Sequence, residues 1–461
     1  MELYNLSIIN KKSKKVYIET YGCQMNESDS EIVLSVMGKD GFEKTNEIDL
    51  ADVILINTCA IRDNAEQRIH GRLKNIKFYK KQNPKLVVGV LGCMAERMRR
   101  DLLEVEDVVD IVIGPDEYRA LPDLVNEAFN GQKGIAVKLS RVETYDDITP
   151  VRTEGISGWI SIMRGCDKFC TFCVVPFTRG RERSRTMTSV LKEVEELSNH
   201  NFKEITLLGQ NVNSYRSEGN DFADLLSKVA DINPNIRIRY TTSHPQDMSD
   251  KLIETMASKN NICNYIHLPV QSGSNRVLKL MNRTYTVEHY LERIERIYNI
   301  IPNVSLSTDI IAGFPTENED DHKKTLDLVK KVRYDGAFMF KYSPRENTKA
   351  WAMGDTVEEE VKTRRLNEII ELQRRISDEI NNQTVGKIEL VLIEGESKKD
   401  FNEWRGRTDS NKIVIFPKGD EQIGELAYVK INRGNAATLF GSTVNSDGTP
   451  KFIPLELMQS N

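Results

Sequence analysis

The sequence holds no apolar run of roughly 18 residues or more, so no segment reads as a membrane-spanning helix. The opening residues MELYNLSIINKKSKK have neither the apolar stretch nor the small-residue cleavage site of a secretory leader, so a cytoplasmic location without a membrane partner is expected. Cysteine is sparse, at 7 in 461 residues. An odd number, thinly spread through a chain that is 29% charged, does not make a secreted disulfide framework, and in a reducing compartment the thiols are free for metal. The 6 histidines are scattered. No Ser-His-Asp or Cys-His arrangement stands out, which leaves no side-chain nucleophile or catalytic residue to assign. Neither GxGxxG nor GxxxxGK(S/T) occurs, which removes support for a nucleotide-hydrolysing or NAD-linked enzyme. The net charge of -5 excludes a uniformly basic nucleic-acid binder and leaves only local patches.

What is present is organisation. The length suits about three domains. From 15 to 130, the β-branched runs KVYIET, DVILIN, KLVVGVLG and DIVIG alternate with amphipathic stretches at 27–38, 62–81 and 118–129. That alternation predicts a small parallel sheet with crossover helices, an α/β domain over 14–132. The aperiodic stretch 142–157, VETYDDITPVRTEGIS, reads as a linker. Strand-helix alternation then resumes with WISIMRG, EITLLG, IRIRYTT, YIHLPV, VSLSTDIIAG and GAFMFKY, which predicts a partial (β/α)6 barrel over 152–382 ending in the charged helix 357–383. Short strands such as KIELVLIEG, KIVIFP and ELAYVKINR predict a small antiparallel β-barrel over 384–447.

Six of the cysteines fall at informative places. Cys166, Cys170 and Cys173 form C-xxx-C-xx-C immediately after the first barrel strand. Cuboidal iron–sulfur clusters are usually held by four thiolates, so three close cysteines leave one iron open to another ligand. S-adenosylmethionine can chelate that iron, and an electron from the cluster then breaks its sulfonium to a 5′-deoxyadenosyl radical. Phe172 inside the loop is a candidate to pack against the adenine of that molecule. A structural zinc site and simple core filling compete, although zinc normally closes with four ligands and no second pair follows. Cys23, Cys59 and Cys93 lie in YGCQMN, NTCAIR and LGCMAE, each just past a strand end. Parallel strands end on one edge, where open α/β sheets place ligands, so the three thiols share a rim. Cys263 has no partner by spacing and reads as an ordinary half-buried residue.

The stretch MRGCDKFCTFCVVPFTRGRERSR resembles the cluster loop of the radical S-adenosylmethionine superfamily, and nearly the whole chain resembles its methylthiotransferase family. That resemblance implies a second 4Fe-4S cluster in the N-terminal domain, with ligands carried over by TYGCQMNESDSE, NTCAIRDNAE and GCMAERM to Cys23, Cys59 and Cys93, and a C-terminal TRAM barrel that binds RNA. The residues GCQMN resemble the MiaB-type branch. Its members act on tRNA and convert N6-dimethylallyladenosine next to the anticodon to the 2-methylthio form. Relatives acting on threonylcarbamoyl adenosine tend toward GCKVN, and those acting on ribosomal protein S12 toward GCPKN. HLPVQSGSNRVLKLMNRTY, STDIIAGFPTENEDD and FKYSPRENTKA support the same branch.

The implied chemistry divides between the clusters, one generating the radical that takes hydrogen from adenine C2 and the other supplying sulfur. The family places polar S-adenosylmethionine contacts at positions matched here by Gln210, Gln271 and Gly313. RNA binding needs phosphate-neutralising cations and stacking planes. Arg179 and Arg181, in the four-arginine run RGRERSR, and Trp404, Arg405 and Arg407 in the C-terminal barrel are candidates. Composition alone would not select that barrel, since residues 384–442 carry nine Lys or Arg against nine Asp or Glu. The basic stretch 62–81 reads equally as a solvated helix face. His244 and His267 read as structural histidines. The expected partners are a tRNA anticodon stem-loop, an electron-donor protein and a sulfur source, and the chain is read as a monomer. Competing functions are methylthiotransfer to threonylcarbamoyl adenosine or ribosomal protein S12, and a non-catalytic metal-containing RNA-binding protein.

Overall fold

The computed structural model describes residues 13–59, 63–152, 155–449 and 451. They divide into two compact units, one running up to Thr153 together with Val174–Arg183, the other comprising Glu154–Cys173 and Ser184 onward.

The first unit is built on a six-stranded sheet with the order Phe42–Lys44, Lys14–Tyr21, Val53–Thr58, Val87–Gly92, Ile111–Ile113 and Gly134–Ala136. Every neighbouring pair is parallel. The helices Gln24–Lys39 and Leu121–Phe129 cover one face, where Val33, Met37, Leu121 and Val125 pack on Val53 and Leu55. The helix Asp63–Gln82 covers the other, where Ile69, Leu73 and Ile76 pack on Ile54, Ile56, Val88 and Val90. Burial on both faces explains why the central strands read as continuous apolar runs. The two edge strands, at three residues each, are too short to show a period and were not foreseen.

The stretch read as a linker is structured over 142–152. It carries Tyr145 and Ile148 into the first unit's core. Tyr145 donates from Oη to the Pro115 carbonyl at 3.0 Å and accepts from the Tyr118 N–H at 3.1 Å. Isolated anchoring side chains leave no periodic signature, which is why the segment looks structureless in sequence.

In the second unit, six strands lie parallel in chain order: Ser157–Ser161, Glu204–Leu208, Arg237–Tyr240, Tyr265–His267, Ser305–Ala312 and Gly336–Lys341. A single bridge from Ile238 to Ile262 joins the two halves. Ile205, Leu207, Ile238, Leu306 and Ile310 face the surrounding helices and form the largest core. The C-terminal strands close into a five-stranded barrel. One of its pairs, Ile413–Pro417 with Leu439–Val444, is parallel, so the barrel is mixed where an antiparallel one was expected. Arg237 donates to the carbonyls of Arg407 and Leu390, and Arg239 to those of Asp409 and Thr408, at 2.7 to 3.0 Å. The small barrel is thereby fastened to the third barrel strand, away from the C-terminal strand ends, where barrels of this type carry their chemistry. Among the described residues no helix is long and apolar enough to cross a membrane.

Candidate iron–sulfur and substrate sites

In the first unit, Tyr21 is paired with Thr58 and Thr58 with Gly92, so three strands end in one row. Cys23, Cys59 and Cys93 follow within two residues of that row, as the sequence predicts. Glycine makes the approach possible: a Cβ on Gly22 would lie 2.6 Å from Cys59 Cβ, and one on Gly92, whose φ is +88°, would lie 2.4 Å from Asn57 Oδ1. A buried amide pair supports the rim from below. Asn26 Nδ2 donates to Asn57 Oδ1 at 3.1 Å, and Asn57 Nδ2 donates back to the Asn26 carbonyl at 2.8 Å.

Arg179 enters the same site. Its Nε donates to Cys93 Sγ at 3.2 Å and its Nη2 to Asp29 Oδ2 at 2.8 Å, while Nη1 is buried without a partner. Burial opposes the guanidinium charge, but Asp29, Cys93 and Cys23 outweigh it and raise Arg179 well above its usual range. Only 3% of the residue is exposed. The assignment of Arg179 to RNA phosphates is therefore corrected, because its donors point inward at a thiol and a carboxylate. Arg183 and Arg185 are also buried, on Asp116 at 2.8 Å and Glu193 at 2.6 Å, which leaves Arg181 as the exposed member of the run.

The thiols differ in state. A hydrogen bond with Cys59, above all, brings Cys23 down to about 6, with Arg179 adding to the effect, whereas burial raises Cys93. In metal-free protein at neutral pH, iodoacetamide is expected to modify Cys23 well before Cys93. Peptide mapping by mass spectrometry checks this, and faster labelling of Cys93 would contradict it. Among the described residues no three His, Cys, Asp or Glu side chains lie close enough to hold a single metal ion. A multi-iron cluster asks for a wider spacing, since each thiolate binds a different iron. Three thiols on one rim, with a guanidinium on one of them that keeps a buried unpaired N–H, fit such an anionic group.

In the second unit, Cys166, Cys170 and Cys173 are half-buried in the loop after the first barrel strand. The helix Asn275–Leu280 and the turn after it cradle this loop. The Thr171 N–H donates to the Met281 carbonyl at 3.0 Å, and Asn282 Nδ2 donates to the Phe169 carbonyl at 3.0 Å. Arg283, which sequence reasoning missed, donates from Nη1 to Cys170 Sγ at 3.4 Å and from Nη2 to the Pro269 carbonyl at 2.7 Å. It lay unremarked inside the MNRTY stretch, where nothing local marks an arginine as facing a cysteine. Each cysteine triad thus has a guanidinium on one sulfur. Phe172 packs edge-on to Phe314 at 6.5 Å.

Gln210 lies just past the second barrel strand, its Oε1 buried without a partner. Gln271, at φ +72°, is laddered to the fifth strand, its N–H donating to the Asp309 carbonyl at 2.8 Å. Gly313 directly follows the fifth strand. Its N–H already donates to Glu317 Oε1 at 2.9 Å, and a Cβ there would lie 2.3 Å from Lys362 Cγ. The glycine admits the buried Lys362 stem, and its N–H is not available to a cofactor. His244 is structural as expected, pushed down to about 2 by burial, Arg283 and Lys168. Cys263 is fully buried, beyond the half-burial expected.

The RNA candidates of the C-terminal barrel are also corrected in part. The strand Glu403–Thr408 alternates, so Trp404 points into the barrel core with Phe416 and Val414 and offers no stacking face. Arg405 and Arg407 point outward, but both are bound to Glu394, at 2.6 and 2.7 Å. In the basic stretch 62–81, Arg72 is held by Glu19 and Lys80 by Asp110, which makes part of that face structural.

Comparison with known proteins adds identity to this geometry. Three family models match in order: Uncharacterized protein family UPF0004 over residues 15–114, the Radical SAM superfamily over 160–329 and the TRAM domain over 382–444. The chain is 53% identical to the tRNA-2-methylthio-N(6)-dimethylallyladenosine synthase of Chloroherpeton thalassium, covering 94% of this chain and 97% of the relative. It is 51% identical to the enzyme of the same name from Parabacteroides distasonis, covering 95% and 97%. Among solved structures it resembles the radical S-adenosylmethionine methyltransferase TsrM from Kitasatospora setae, with TM-score 0.58, 12% identity and coverage of 74% and 77%. It also resembles the cobalamin-dependent radical enzyme OxsB, with TM-score 0.53, 14% identity and coverage of 79% and 56%; at such identities the likeness concerns the fold alone. With an iron–sulfur cluster and S-adenosylmethionine as the cofactors of its central domain, the chain belongs to the radical S-adenosylmethionine methylthiotransferases, in the family of tRNA-2-methylthio-N(6)-dimethylallyladenosine synthases.

Proposed function

We propose that this chain methylthiolates tRNA at C2 of the N6-dimethylallyladenosine next to the anticodon, using two three-thiolate 4Fe-4S sites, one on Cys23, Cys59 and Cys93 and one on Cys166, Cys170 and Cys173. The observation that carries this reading is the pair of triads, each with an arginine donating to one sulfur. Bound there, the clusters supply one-electron reduction of S-adenosylmethionine to a radical and a store of sulfur. The chain's own residues bind and orient. Arg283 and the turn around Asn282 hold the radical-forming loop. Phe172, Gln210 and Gln271 flank it as the S-adenosylmethionine contacts, with the buried Gln210 Oε1 an acceptor in want of a donor. Asn26 and Asn57 support the rim that carries Cys23, Cys59 and Cys93. Arg181 presents its charge to the anticodon stem-loop. Electrons come from a donor protein and sulfur from a separate source, in the cytoplasm.

The test is incubation of the anaerobically reconstituted protein with tRNA lacking only the methylthio group, read by nucleoside mass spectrometry. Methylthio-dimethylallyladenosine is expected. Product confined to threonylcarbamoyl adenosine or to ribosomal protein S12 would refute the reading.

A further inference from the structure

The sixth barrel strand, Gly336–Lys341, is the open edge of the partial barrel and among the described residues pairs only with the fifth. Met339 packs against the core beneath the helices, as does its cross-strand partner Ile310. Strand alternation therefore turns Phe338 and Phe340 to the opposite face, the barrel lumen. They are 53% and 40% exposed there. Large aromatics are usually covered, and two uncovered rings on one face of a strand are a surface awaiting an apolar group.

A polar group stands beside them. Asp309 is the cross-strand partner of Phe338. The His267 ring meets Phe338 edge-on at 5.7 Å, with Nδ1 2.8 Å from Ser307 Oγ and Nε2 3.4 Å from Asp309 Oδ1. The carboxylate is thus held at the border of the aromatic wall. Gln271, just past the fourth strand, bridges to Ile310 on the same fifth strand that carries Asp309.

We propose that this wall is the subsite for the N6 substituent of the target adenine: the Asp309 carboxylate accepts the N6–H, and the branched dimethylallyl group lies on Phe338 and Phe340. The inference rests on dimethylallyladenosine being the substrate and names what selects it. Unmodified adenosine leaves the rings uncovered. A threonylcarbamoyl group carries its own carboxylate, which would lose water against phenyl rings and meet Asp309 as a like charge.

The test uses reconstituted full-length protein and three RNA stem-loops whose target adenosine carries dimethylallyl, hydrogen or threonylcarbamoyl, with binding read by anisotropy and kcat/KM by mass spectrometry. A hydrophobic contact of this kind discriminates by about 10-fold or more. Phe338→Ala and Phe340→Ala should each reduce the preference for the dimethylallyl over the unsubstituted RNA by about 10-fold, chiefly in KM and binding, with Phe338→Leu restoring most of it. Asp309→Asn should raise the relative binding of threonylcarbamoyl RNA. If the wild type prefers dimethylallyl RNA and the variants keep that preference, or lose all three RNAs equally, the subsite is refuted while the substrate stands. If the wild type acts only on threonylcarbamoyl RNA, the substrate reading falls and the subsite with it.

Discussion

Replacing Cys170 with alanine is expected to abolish both the cleavage of S-adenosylmethionine and the methylthiolated product, whereas Cys93→Ala should abolish only the product. The two sites are built in separate units from separate strand ends, so each variant removes one ligand set and leaves the other's supports in place. Two four-iron clusters correspond to about eight irons per chain, and either variant should hold about four. Iron analysis, 5′-deoxyadenosine release and nucleoside mass spectrometry on the same preparations decide the matter. Equal loss of cleavage in both variants would contradict the division of labour, and one zinc per chain with no cleavage in the wild type would refute the radical reading altogether.

Arg179→Met should destabilise the first unit by about 3–5 kcal/mol, the range for breaking a buried ion pair by removing one partner. The side chains of Arg179 and Asp29 are 4% and 0% exposed, so the abandoned carboxylate cannot be rehydrated in place. Tyr118 Oη, 3.3 Å away, cannot replace a cation. Arg179→Lys should recover only part of the loss, since a single ammonium cannot reach Cys93 and Asp29 together as the planar guanidinium does. Urea unfolding of the metal-free protein reads this as a lower midpoint at constant slope. A loss below about 1 kcal/mol would place Arg179 among ordinary surface arginines.

Side-chain direction decides what a chemically apt residue can meet. Arg179 and Trp404 are of types suited to RNA, and the fold turns one onto Cys93 and the other onto Phe416. Gly313 is a place of close approach, and its close neighbour is Lys362. Arg283 and the lumen wall of Phe338, Phe340 and Asp309 escaped notice because their partners lie on other strands.

The parts legible in the sequence are the covalently local ones. The C-xxx-C-xx-C spacing, the three cysteines past strand ends and the alternation of apolar runs are properties of neighbouring residues, and strand and helix periods act over a few residues at a time. Tertiary structure alone decided which donor meets which sulfur and which aromatic ring stays uncovered. Those outcomes depend on register between distant strands, where a shift of one residue turns every side chain to the opposite face.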